Sequence, residues 1–108
     1  PTVDVPQNTS GSKLVNFMNL RNNPLSSGTA AVHFGLARTD RVQVKVYDVT
    51  GRLVRNLADR TFEGGKEYKL LWDGSNDAGQ QVARGVYFTQ VKFVNSRFVD
   101  SKKLTVLK

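Results

Sequence analysis

Hydrophobic and polar residues alternate with a period of two along much of this chain. Arg41–Asp48 is the clearest stretch: Val42, Val44 and Val46 fall on one face, and Arg41, Gln43, Lys45 and Tyr47 on the other. Such alternation marks a strand with one buried face. The same reading predicts strands near Leu14–Leu20, Thr29–Leu36, Leu53–Leu57, Val86–Val94 and Arg97–Leu107, and one carrying Tyr68, Leu70 and Trp72 on a single face. No segment of ten or more residues keeps a helical period. Leu53, Val54 and Leu57 fit one short helical turn, but the β-rich surroundings outweigh it.

Turn signals separate these runs. Asn22-Asn23-Pro24, Asp48-Val49-Thr50-Gly51, Glu63-Gly64-Gly65-Lys66 and Asn95-Ser96 are rich in residues that tolerate tight backbone geometry. A long polar connection, Asp73–Arg84, precedes the sixth strand. Seven short strands predict two packed antiparallel sheets, an all-β, immunoglobulin-like sandwich. Trp72, Tyr68, Phe34, Tyr87 and the Val42/Val44/Val46 stripe are the predicted core. Residues 1–12 carry two prolines, polar filler and no aromatic, and read as a linker or extended lead-in to a domain over 13–108. Asn8-Thr9-Ser10 in that linker fits the N-glycosylation pattern. The chain starts at Pro1 without a charged-then-apolar leader, as expected of a piece of a longer protein.

Composition narrows the chemistry. The chain has 108 residues, no cysteine and one histidine, so disulfides, thiolate metal sites, cysteine nucleophiles and multi-histidine sites are excluded. No run of about 18 apolar residues is present, so no membrane-spanning helix is expected. Sixteen Lys and Arg against nine Asp and Glu give a net charge of +7. The basic residues are scattered singly apart from Lys102-Lys103, which fits a solvated basic surface better than a nucleic-acid platform. No nucleic-acid partner is expected.

Few residues carry candidate chemistry, and no enzyme is expected. His33 lies opposite Val32 and Phe34 by alternation, which predicts an ordinary surface or edge histidine, with no catalytic role. Asp73, Asn76 and Asp77, spaced by Gly74 and Gly79, are the calcium candidates. Asp, Asn and Gly also build tight turns, and that reading takes precedence, so no metal or other cofactor is expected. Tyr47 and Phe88 point outward by alternation and could stack on sugar rings, which keeps a carbohydrate-binding module of an extracellular hydrolase as an alternative.

Three stretches together carry a resemblance: Val44-Lys45-Val46-Tyr47-Asp48-Val49-Thr50-Gly51-Arg52-Leu53-Val54-Arg55, Leu71-Trp72-Asp73-Gly74-Ser75-Asn76-Asp77-Ala78-Gly79-Gln80, and Val82-Ala83-Arg84-Gly85-Val86-Tyr87-Phe88. In this order they resemble the immunoglobulin-like domain of the flagellar hook-capping family. They resemble equally the C-terminal sorting domains of type IX secretion cargo, as does the ending Ser101–Lys108. The resemblance covers about residues 14–108. It implies a non-catalytic C-terminal module of a larger secreted or cell-surface bacterial protein, reached through the periplasm. It further implies recognition by outer-membrane secretion machinery. The candidate recognition residues are Gly85, Val86 and Tyr87 with Lys102, Lys103, Leu104, Val106 and Lys108. The expected mode is docking of an exposed edge strand by strand addition. A structural spacer or hook-cap-like assembly domain is the remaining alternative.

Overall fold

The computed structural model describes residues 15–108. The proposed linker 1–12, with Asn8, and the start of the first predicted strand at Leu14 lie outside them. Seven strands form: β1 Phe17–Arg21, β2 Ala30–Leu36, β3 Asp40–Asp48, β4 Leu53–Phe62, β5 Lys66–Trp72, β6 Gly85–Phe93 and β7 Phe98–Val106. They make two sheets, a three-stranded one in the order β1-β2-β5 and a four-stranded one in the order β4-β3-β6-β7. All the pairings between these strands are antiparallel. The domain is an immunoglobulin-like all-β sandwich, as the alternation predicts.

The inner faces of both sheets supply the core. At one end Phe34 of β2 packs against Phe62, Phe93 and Tyr68, with Val42, Val44, Val91 and Leu36 filling the space between the sheets. At the other end Trp72 meets Tyr87 edge to face, with ring centroids 5.9 Å apart, among Leu25, Val46, Leu104 and Val106. Each of these large side chains removes apolar area from water, the main source of stability in such a fold. Tyr68, predicted as core, is only half-buried at the edge of the phenylalanine cluster, and its hydroxyl donates to the Glu63 carbonyl at 2.8 Å.

β4 runs to Phe62, well beyond the Leu57 that alternation suggested. The β3–β4 register shifts twice, between Val44 and Lys45 and between Val46 and Tyr47. Each extra residue reverses the facing of the residues after it, so a true strand loses its period-two signature. His33 also departs from expectation. It sits on the central strand of its sheet, half-buried, with Phe17 edge-on at 5.2 Å and Nε2 2.8 Å from Glu67 Oε1. It is neither an edge residue nor freely exposed, because the Phe17 ring covers that part of the outer face.

Candidate docking edge and the cleft beside it

The two candidate recognition segments are far apart in sequence but adjacent in space. Gly85, Val86 and Tyr87 pair with Val106, Thr105 and Leu104 across the β6–β7 ladder. Alternation then divides them. Tyr87, Leu104 and Val106 face inward and are buried, while Lys103 and Lys108 are exposed and Val86 and Lys102 are half-buried. Leu104, Val106 and Tyr87 therefore hold the core, so of the candidate residues these three do not present their side chains to solvent. Gly85 opens β6. No neighbour crowds it; it is needed because its φ of 149° lies in a region that side chains disfavour.

β7 is the outermost strand of its sheet. Its two halves differ. Along the C-terminal half the chain segment after β1 lies on the edge. Leu25 N–H donates to Thr105 O at 2.8 Å, and Leu107 N–H donates to Leu25 O at 2.8 Å. The Asn23 side chain continues this ladder like a backbone unit: Nδ2 donates to Lys103 O at 2.9 Å, and Oδ1 accepts from Thr105 N–H at 3.1 Å. Leu25, fully buried, locks the segment in place. Lys108 Nζ, placed among the recognition residues, donates to Gly28 O at 2.8 Å.

Along the N-terminal half no strand among the described residues pairs. In an antiparallel ladder, alternate residues turn both N–H and C=O to the same side. Thr105 does so toward Leu25 and Asn23, so Val99 and Ser101 turn theirs outward. This free edge starts from a firmly held turn. Asp40 accepts from the N–H of Asn95 at 2.9 Å, the N–H of Ser96 at 2.8 Å and the Ser96 hydroxyl at 2.6 Å. Burial alone would raise the Asp40 carboxyl, but these donors outweigh it and its pKa lies below the usual value.

The three sequence stretches that carry the resemblance converge on a cleft of about 470 Å³ at the Trp72 end. The β3–β4 turn supplies Asp48, Arg52 and Leu53, the long connection supplies Asp77 and Val82, and β6 supplies Tyr87. The walls are held from the core outward. Trp72 Nε1 donates to Ser75 O at 2.8 Å, the Tyr87 hydroxyl donates to Ala83 O at 2.6 Å, and Arg55 Nη1 donates to the Ser75 hydroxyl at 2.8 Å. Gly51, at φ 87°, closes the turn whose Asp48 Oδ1 accepts from Thr50 N–H, Thr50 Oγ1 and Arg52 N–H. The Thr50 hydroxyl above all holds Asp48 below its ordinary pKa, and burial holds the Tyr87 phenol above its own. Neither group is poised to transfer a proton near neutral pH.

The calcium candidates serve the loop itself. Asp73 Oδ1 accepts from Ser75 N–H and from the Ser75 hydroxyl at 2.5 Å, and the hydroxyl bond chiefly lowers its pKa. Asn76 Oδ1 accepts from Ala78 and Gln80, and Asp77 Oδ1 from Asn56 N–H. Among the described residues no group of three or more His, Cys, Asp or Glu could hold a metal.

The model of the FlgD Ig-like domain family matches residues 20–97. The chain belongs to that family. No curated protein matches it. Among solved structures it resembles PorZ, described as an essential bacterial surface component of the type-IX secretion system of Porphyromonas gingivalis. The identity is 27% with a TM-score of 0.54, over 84% of this chain and 11% of PorZ, so the chain spans about a tenth of that protein. It also resembles FlgD from P. aeruginosa, with a TM-score of 0.57 and 21% identity, over 87% of this chain and 75% of that one; this likeness concerns the fold. No catalytic family emerges from these comparisons. Among the described residues no helix is long and apolar enough to cross a membrane.

Proposed function

We propose that this FlgD Ig-like domain is a non-catalytic accessory module of a larger secreted bacterial protein, and that it serves as a docking signal for export or cell-surface attachment. The observation that carries the reading is the open edge of β7 at Val99 and Ser101, flanked by the exposed Lys103 and the half-buried Lys102. Unpaired strand edges template the addition of another strand, and a sheet normally covers or blunts them. Among the described residues half of the edge is covered and half is open, and the open half begins at the turn anchored by Asp40. The likeness to part of PorZ supports a setting at the bacterial surface and gives type IX secretion as the machinery to test first.

In this account an extended segment of the export or attachment machinery pairs with the backbone of Val99 and Ser101, while Lys103 favours acidic side chains beside it, Lys102 being paired with Asp100 at 3.5 Å. Leu104, Val106 and Tyr87 contribute indirectly, by keeping β7 straight and in register. Fusing residues 1–108 to a periplasmically targeted fluorescent protein tests the reading in a bacterium with an intact type IX system. Cargo should appear at the surface or in the medium, and should stay inside a matched strain lacking the translocon. Retention of a folded fusion in both strains contradicts the proposal.

A further inference from the structure

The outer face of the four-stranded sheet carries a second feature, which adjoins the β7 edge and shares Lys103 and Ser101 with it. Register places Leu53, Tyr47, Phe88 and Lys103 in one row across β4, β3, β6 and β7. Tyr47 and Phe88 are directly opposite each other, and Phe88 is directly opposite Lys103. Three inter-strand spacings make this row about 14 Å long. Phe88 is 38% exposed and Leu53 44% exposed, so the row presents apolar surface to solvent. The next row holds Asn56, Lys45, Gln90 and Ser101, and the one after it Asp59, Gln43, Lys92 and Val99.

The charge on this face is one-sided. Its one carboxylate along β3, β4, β6 and β7, Asp59, is taken by Arg41 at 2.8 Å. Lys45, Lys92 and Lys103 have no carboxylate within ion-pair distance among the described residues. Lys45 lies diagonal to Phe88 and Lys92 diagonal to Lys45, within about 7–8 Å between Cβ atoms. Two uncompensated ammonium groups, Lys45 and Lys103, thus flank an aromatic pair, and a third, Lys92, lies two rows further along β6, with the amide of Gln90 and the hydroxyl of Ser101 in the row between.

We infer that this face binds an acidic polysaccharide. Exposed aromatic rings offer flat apolar surface to sugar rings, amides and hydroxyls pair with sugar hydroxyls, and the lysines neutralise carboxylates along the polymer. Phosphate backbones favour planar arginine forks, and the one arginine along β3 on this face is already engaged by Asp59. Uncompensated lysines make the binding weaken with salt.

Affinity electrophoresis of the full chain through polygalacturonate tests this, with neutral dextran and single-stranded oligothymidylate as parallel probes. Polygalacturonate should retard the protein, and dextran should not. Phe88→Ser should weaken retardation about fivefold, the scale of one lost aromatic contact, and Phe88→Tyr should restore it. Lys92→Glu combined with Lys103→Glu should abolish it, with thermal unfolding confirming that each variant is folded. Absence of retardation overturns the inference. So does binding of oligothymidylate as tight as that of polygalacturonate. Retardation unchanged in folded Phe88→Ser also overturns it, since that indicates bulk charge alone.

Discussion

The two halves of β7 share one strand, one neighbour and one register, yet face their surroundings differently. From Lys103 onward the backbone edge is closed by Asn23 and Leu25, and the inward side chains Leu104 and Val106 are about 1% exposed. From Phe98 to Lys102 the inward side chains are only half-buried, and no strand among the described residues pairs with the outer edge. One half therefore holds the fold, and the other is left unpaired among the described residues. Edge protection in this domain is local to a few residues. It is also asymmetric across the sheet, because the opposite edge strand, β4, carries two register shifts that spoil it as a template.

The largest effect should come from emptying the closed half. Leu104→Ala should destabilise the domain by about 3 kcal/mol in urea unfolding, as expected for a fully buried leucine. Deleting Lys102–Lys108 removes Leu104 and Val106 together and should unfold the domain, so such a truncation reports on folding and says nothing of recognition. Asp40→Ala should come next, at about 2 kcal/mol, because three donors at the head of β7 lose an ionised acceptor.

The same carboxylate predicts a pH dependence. Its folded pKa lies below the usual value, so its contribution is complete above the unfolded pKa of about 3.8 and is lost as pH falls through the lower folded value. Stability should therefore fall below about pH 4, with less of that loss in Asp40→Ala than in the unaltered chain. Thermal unfolding across pH 2–6 measures the difference.

Asn23→Ala should cost about 1 kcal/mol. It should also speed hydrogen exchange at Thr105, whose N–H donates to Asn23. In the unaltered chain the Thr105 and Leu107 amides should be protected, while those of Val99 and Ser101 exchange quickly. Comparable protection at all four would erase the contrast between the halves. Ser101→Pro should have the smallest effect, under about 1 kcal/mol, since proline at an edge strand removes only an N–H that faces solvent.

Much of the sandwich is legible in the alternation because each strand buries one face. Val42, Val44 and Val46 are all fully buried, as that pattern requires. The far half of β4 is not legible, since its bulges break the period. The inward facing of Leu104 and Val106 can be read from Lys103-Leu104-Thr105-Val106, but a recognition role assigned to the whole ending obscures it. The Asn23 clamp has no local signal. It joins residues about 80 positions apart, and the sequence there shows only a turn. Likewise, the spacing of the three resemblance stretches does not reveal that they line one cleft; pairing between the strands brings them together.

The central claim is that the open half of β7 is the docking edge. Ser101→Pro tests it most directly, because it blocks strand addition without touching the core. In the fluorescent fusion, with unfolding near that of the unaltered domain, this variant should lose translocon-dependent appearance outside the cell. Export of the folded Ser101→Pro fusion at the unaltered level would contradict the claim.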